Sequence, residues 1–194
     1  MSKVAIQGAV TGTGVFTLAS PATNTDRTLV LPDEAGTMAL QGGAGVGKVL
    51  QVVQTVKTDA WSTNSTTPSA PIQVTITPSS ASSKILVLCD AGVGTGGAAA
   101  ATVYLRKNGS AIYVGDAAGS RPRALAQVFT SSDYFIQRIS GVYLDSPATT
   151  AAVTYSIALA ASGPDYVHLN RTNADRDAVD SRAASSITVM EIAA

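Results

Sequence analysis

Residues 103–114 read VYLRKNGSAIYV, and this stretch decides the fold. Val103 and Leu105 alternate with Tyr104 and Arg106 up to Asn108-Gly109, after which Ile112 and Val114 resume the alternation. Asn and Gly both tolerate positive φ, so the pair closes a two-residue turn whose twist matches the flanking strands. A β-hairpin is expected there, and the same period-2 pattern continues outward from it. Ile72, Val74 and Ile76 alternate with Gln73, Thr75 and Thr77, bracketed by Pro71 and Pro78. Such alternation gives one apolar and one polar face. Lys84 to Asp90 (KILVLCD) is apolar on both faces, as suits a strand inside a sandwich.

Further along, Tyr134 to Leu144 and Val153 to Leu159 read as strands, the second with Val153, Tyr155, Ile157 and Leu159 on one face. Tyr166 to Leu169 and Ile187 to Ile192 follow. The sum is about eight short strands at the spacing of a sandwich or jelly roll. The predicted class is all-β, an antiparallel β-sandwich with jelly-roll character. Only Ala174 to Ala184 has a helical look, and it is short and polar.

Composition agrees. The chain has 194 residues, 45% hydrophobic and only 13% charged. Ala, Gly, Ser and Thr make up roughly half of it, well above the usual share. The Ala sits among Thr, Ser and Val with frequent Gly and Pro, a mixture that favours short strands and tight turns. Thirteen basic and thirteen acidic side chains cancel, so no net field draws the chain to nucleic acid or an acidic membrane. No apolar run is long enough to span a bilayer, so no membrane insertion is expected. The Met-Ser-Lys start lacks the apolar core of a secretory signal.

Residues 1–47 differ from the rest. Scraps of strand (Val15 to Leu18, Thr28 to Leu31) are separated by Pro21, Pro32 and a string of glycines. About 47 such residues cannot bury a core of their own and would need a partner surface or copies of themselves. The expected organisation is an extended, glycine-rich N-terminal β arm over 1–47, hinged at 41–47 (QGGAGVG), and a sandwich head over 48–194.

Several motifs have the outline of chemistry. Gly42 to Lys48 (GGAGVGK) fits most of a phosphate loop, but Val49 stands where Ser or Thr should hold magnesium, and a strand-like run follows instead of a helix. Gly92, Gly94 and Gly97, with Asp116 beyond, have dinucleotide-fingerprint spacing. That fingerprint must open a helix, whereas Thr102 to Lys107 runs straight into the hairpin. Asn173, Asp175 and Asp177 have the 1-3-5 spacing of a calcium loop, with Ala178 and Ala184 in place of its Gly and Glu. A solvated acidic loop neutralised by Arg176 and Arg182 is the plainer account.

The single His168 has no sequence-local carboxylate or second histidine to make a metal pair, and the single Cys89 lies in the most apolar strand as a small hydrophobe. Asn64, Asn108 and Asn170 open Asn-x-Ser/Thr triplets and read as turn residues. No catalytic residue, cofactor or metal is expected.

Residues 12–40 (GTGVFTLASPATNTDRTLVLPDEAGTMAL) run Gly-x-Gly-x-Phe-x-Leu, Pro-Ala-Thr, Arg-Thr-Leu-x-Leu-Pro-Asp, Gly-Thr-Met-Ala. This resembles a segment recurrent in tail-fibre and related virion surface proteins of tailed bacteriophages. Ile76 to Val87 (ITPSSASSKILV) and Ser186 to Ala194 (SITVMEIAA) are similar to C-terminal β-domains of such proteins.

The resemblance implies a non-enzymatic, homotrimeric virion component assembled in the host cytoplasm. Its arm, with Phe16, Leu18, Leu29, Leu31 and Pro32, would attach to a tail, adaptor or major capsid protein. Its head would face the host surface. The chain has no long shaft, so a short fibre and a capsid decoration (cement) protein that stabilises the shell both remain, the N-terminal motif pointing to the fibre. Candidate recognition loops, for a host cell-surface glycan, are Gly92 to Gly97, Gly115 to Arg123 and Asp165 to Arg182, carrying Arg121, Arg123, Arg171, Asp175, Arg176 and Asp177. The same loops read equally as solvated connections. A nucleotide-binding enzyme using either glycine motif is a remote alternative, and a lectin-like or calcium-binding β-module a further one.

Overall fold

Alternation in the sequence becomes burial in the structure. Along Ser69–Ile76, Ile72, Val74 and Ile76 are buried while Gln73 and Thr75 are exposed. The computed structural model describes residues 48–97 and 99–194. The expected arm and hinge over 1–47, with Phe16, Leu18, Leu29, Leu31 and Pro32, lie outside the described residues.

The strands are β1 (Val49–Lys57), β2 (Trp61–Thr63), β3 (Ser69–Ile76), β4 (Lys84–Thr95), β5 (Ala101–Lys107), β6 (Ser110–Ile112), β7 (Ala126–Val128), β8 (Gln137–Asp145), β9 (Val153–Ala161), β10 (Val167–Leu169) and β11 (Ser185–Ile192). All pairings are antiparallel.

In the first sheet, β8 pairs with β4 over Ile85–Val93. The other edge of β4 therefore carries both β11, at Lys84–Asp90, and β10, at Val93–Thr95. Beyond them lie β1, on β11, and β2, on β10. Thus β10/β11 is one edge-sharing strand interrupted by residues 170–184, and β1/β2 is another interrupted at 58–60. In the second sheet, β9 covers one edge of β5, and β6 and β7 share the other, interrupted at 113–125. β3 closes the sheet on β9.

Counting each interrupted pair once, the eleven segments become eight strands in the orders 1-8-3-6 and 2-7-4-5. That is the double Greek key of a jelly roll. The all-β, jelly-roll-like sandwich expected from the sequence is what the chain forms.

Between the sheets lie Ile72, Val74, Ile85, Val87, Val103, Leu105, Tyr155, Ile157, Leu159, Ile187 and Val189, all nearly inaccessible. Each such aliphatic side chain contributes about 1.5–3 kcal/mol by leaving water. One buried polar group is tied into this core. Asp145 accepts from Tyr155 Oη at 2.6 Å and from Lys107 Nζ at 2.9 and 3.0 Å.

The Asn108-Gly109 turn forms as expected, with φ of 47° and 85° at its two residues. Three local expectations need correction. Val114 is not in a strand, because Tyr113 takes φ 52° and turns the chain out of β6. Tyr134 to Ile136 are loop, because pairing of β8 with β4 ends at Gln137 opposite Val93, while Gly94 and Thr95 pair only with β10 on the other edge of β4. Ala174 to Ala184 is not helical: Asp175 and Ala178 sit at φ 49° and 60°, which breaks any right-handed helix.

Candidate functional site

One end of the sandwich carries the loops 64–68, 96–100, 129–136 and 162–166, together with the excursion 170–184 that interrupts the β10/β11 strand. The excursion is closed at its base. Asn170, at φ 65°, donates its side-chain amide to Lys57 O (2.8 Å) and Asp59 O (3.1 Å) and accepts from Ser185 Oγ at 2.5 Å. Its backbone N–H bonds Gly92 O, and Ala183 N–H bonds Asn170 O. A loop whose ends meet and whose interior is filled by its own side chains is an Ω-type loop.

Inside it, Asp180 accepts from Thr172 Oγ1 (3.0 Å), Arg176 N (2.8 Å) and Arg176 Nη2 (2.9 Å). The Arg176 guanidinium foremost holds this carboxyl well below the ordinary range, at about 2. Asp175 accepts from Arg171 Nη1 (3.0 Å) and Arg182 Nη2 (2.7 Å).

The three side chains of the calcium-loop spacing each have a protein partner. Asn173 Oδ1 faces His168 Nε2 at 2.8 Å, Asp175 is clasped by two arginines, and Asp177 accepts from Ala178 N at 3.0 Å. The three side chains are bonded to different partners. Among the described residues, no three His, Cys, Asp or Glu side chains converge as a metal site requires.

The glycine triplet has a packing reason. A Cβ on Gly94 would run into Arg171 O, and one on Gly92 would meet Ala183 Cβ at 2.9 Å. Gly97 takes φ +50° with Asp165 packed against it. Gly92 and Gly94 let the excursion lie flat on β4, and Gly97 makes room for the 162–166 loop. The phosphate-loop glycines lie outside the described residues; the run that follows them is β1, a strand.

His168 is buried and held on both nitrogens. Arg171 Nε–H donates to Nδ1 at 3.2 Å, so Nδ1 is the acceptor and Nε2 carries the proton toward Asn173. Ser62 Oγ also lies 2.7 Å from Nδ1. A serine, a histidine and an asparagine in series have the outline of a nucleophilic triad, but the arginine on the same nitrogen opposes proton uptake there. Burial chiefly, and Arg171 as well, push the His168 pKa down. Cys89 is five residues along β4 from Gly94, the residue paired with His168, so about 17 Å separates the two. Burial pushes its thiol pKa up.

The surface above this scaffold is aromatic. Phe129, Tyr134, Phe135 and Tyr166 are each more than half exposed, as is Val179. Arg176 lies over the Tyr134 ring at 3.9 Å, and Tyr166 stacks on His168. The loops that carry them are braced to one another. Ala174 N–H bonds Asp133 O, Gly96 N–H bonds Tyr166 O, and Thr130 exchanges three hydrogen bonds with Thr95. Flat apolar rings edged by Arg and Asp groups are suited to stack on the C–H face of a sugar while the polar groups meet its hydroxyls.

Of the residues expected for recognition, Arg171, Asp175, Arg176 and Asp177 lie in this assembly. Arg121 and Arg123 lie elsewhere, in the 113–125 excursion beside β5. There Arg121 Nη1 bonds Ala118 O, Arg123 Nε bonds Gly115 O, and a groove of about 500 Å³ opens toward Thr102, Asp116 and Gln127. The sequence reading missed the aromatics. In the sequence Tyr134 reads as a strand residue, although Ser131-Ser132-Asp133 before it signals a turn. The signal was that two of the three phenylalanines, Phe129 and Phe135, flank that turn.

Compared with known proteins, the chain matches no family model and no curated sequence.

Proposed function

We propose that the chain is a non-enzymatic bacteriophage virion structural protein, a homotrimeric short fibre. Its N-terminal arm anchors it to a tail, adaptor or capsid protein, and its jelly-roll head presents the loop end to the host surface. One observation carries the adhesive part of this reading: Phe129, Tyr134, Phe135 and Tyr166 are each exposed on loops at one end of the sandwich, and those loops are braced to their neighbours by hydrogen bonds. Large exposed apolar groups on a rigid scaffold are a mark of recognition, since nothing in folding requires them to face water. The virion part rests on the resemblance of residues 12–40 to fibre segments. The ligand class that fits rings edged with Arg and Asp is a cell-surface glycan.

The test is labelling of host cells by the purified, fluorescently tagged chain. Wild-type protein should label cells, and a Tyr134→Ala/Phe135→Ala chain with unchanged melting should not. No labelling of cells, with antibody decorating the virion along its head, would move the protein to the capsid-decoration role. Equal labelling by both chains would remove the aromatic surface from the reading.

A further inference from the structure

The 113–125 excursion turns part of the second sheet's outer side into a groove. Along β5, Ala101, Val103 and Leu105 belong to the core, so Thr102 faces outward, in register with Gln127 on β7. Outward strand residues ordinarily meet solvent, yet Thr102 is only 5% exposed, and its hydroxyl bonds to no described residue. Thr102 and Gln127 line a groove of about 500 Å³ together with Asp116, Arg121 and Arg123 of the excursion. That volume falls within the ~300–1,000 Å³ of small-molecule sites.

Both ends of the excursion are pinned. Tyr113 stacks on Tyr143 of β8 with 5.3 Å between ring centres, and Leu125 N–H bonds Val103 O at 3.0 Å. Arg123 Nε–H donates to Gly115 O at 2.7 Å, tying the returning limb to the outgoing one. Its Nη1 and Nη2 donate to no described residue, so the end-on edge of the guanidinium fork is open to a ligand. Arg121 is steadied by Nη1–H donating to Ala118 O at 3.3 Å. Asp116 enters no ion pair with a described residue.

These groups specify a charge and a shape. Two guanidinium groups against one carboxylate leave one net positive charge in the lining. A planar fork matches a carboxylate through two parallel N–H···O bonds. Asp116 repels a second negative charge, which disfavours a phosphate monoester, and it accepts from hydroxyl groups. Thr102 and Gln127 both donate and accept, as a polyhydroxylated ligand requires. An adjoining depression shares Gly115 and Ala124 with the groove and is edged by Tyr113, 47% exposed. The Tyr113 ring, fixed by its stack on Tyr143, is a platform for the C–H face of a sugar.

We infer that the 113–125 groove binds an acidic sugar, a uronic or sialic acid. Its carboxylate meets Arg123 and Arg121, and its hydroxyls meet Asp116, Thr102 and Gln127. The groove shares no residue with the aromatic loop end. Its ligand class follows from its own chemistry and stands apart from the virion reading.

The experiment titrates the full chain with glucuronate and with N-acetylneuraminate by ligand-observed NMR, beside glucose, acetate and glucose 6-phosphate. One of the two acidic sugars should bind at least ~10-fold more tightly than each of the other three, the margin of a hydrogen-bonded charge. Arg123→Gln should remove that margin with melting unchanged. Thr102→Val, which takes away only the hydroxyl, should weaken binding about 3- to 10-fold. The Tyr134→Ala/Phe135→Ala chain should bind as wild type does. No binding by either acidic sugar overturns the site. Equal or tighter binding of glucose, acetate or glucose 6-phosphate overturns the ligand class. Binding lost in the Tyr134→Ala/Phe135→Ala chain and kept in Arg123→Gln and Thr102→Val overturns the placement and moves the sugar to the loop end.

Discussion

Ser185 Oγ lies 2.5 Å from Asn170 Oδ1 and donates to it, joining the residue where the chain leaves the sheet edge to the residue where it returns. The same serine oxygen accepts from Gly92 N–H on the neighbouring strand at 3.0 Å. Everything between the two residues is therefore carried outside the sheet without disturbing its ladder.

Asn170→Ala removes the three side-chain bonds of a fully buried residue and leaves Ser185 Oγ–H without its acceptor. The expected loss is about 2–4 kcal/mol in urea unfolding. Ser185→Ala should cost less, about 1–2 kcal/mol. Both variants should be cut by trypsin at Arg176 and Arg182 faster than wild type, and unchanged cleavage would mean that the clasp does not hold the loop.

Gly94→Ala places a methyl group against the Arg171 carbonyl, which is backbone and has no room to yield. A loss of about 1–3 kcal/mol is expected, as for other overpacked sites. Gly115→Ala is the control, since nothing lies within 4 Å of its added carbon. Comparable melting of the two variants would show that the excursion does not press on β4.

Acid should destabilise the head late and steeply. Asp180 is lowered to about 2, first by Arg176. Burial pushes Glu191 up, but hydrogen bonds from Ser79 and Gln51 outweigh it and bring it to about 2. Folded values below the ordinary ones mean that this stabilisation is complete above the unfolded pKa and is lost as pH falls through the folded pKa. Stability from these groups should be flat above about pH 5 and fall from about pH 4 to pH 2. Asp180→Asn should reduce the fall seen by denaturant titration at each pH, and an unchanged profile would exclude Asp180 as a contributor.

Asp145→Ala strips Tyr155 Oη and Lys107 Nζ of their shared acceptor. Breaking such a buried pair costs about 3–5 kcal/mol, and toward the lower end here because Lys107 can reach water. Asp145→Asn keeps an acceptor for Tyr155 and should lose about half as much by chemical unfolding.

The strands were legible where one rule decided them. Ile72-Val74-Ile76 and Val153-Tyr155-Ile157-Leu159 alternate because one face is buried, and Asn108-Gly109 turns because both residues take positive φ. The recognition end was less legible because it depends on contacts distant in sequence. Nothing near Asn170 announces that it binds Lys57 and Asp59, and nothing near Gly94 announces Arg171 above it. Tyr134 and Phe135 have the composition of a strand, and only the end of the ladder at Val93 excludes them from one. Arg121 and Arg123 resembled the arginines of the last loop in type, but connectivity puts them on a different excursion.

Because the excursion starts and ends on adjacent hydrogen-bonded residues, residues 171–184 behave as a cassette. Its sequence can be exchanged while Asn170, Ser185 and the register of β10 and β11 stay fixed, so long as the replacement keeps Arg171 and Asn173 on buried His168 and a small or flat underside over Gly92 and Gly94. Diversity at the tip is thereby uncoupled from the stability of the sandwich, and a library built between these two residues would vary what the head touches while sparing how it folds.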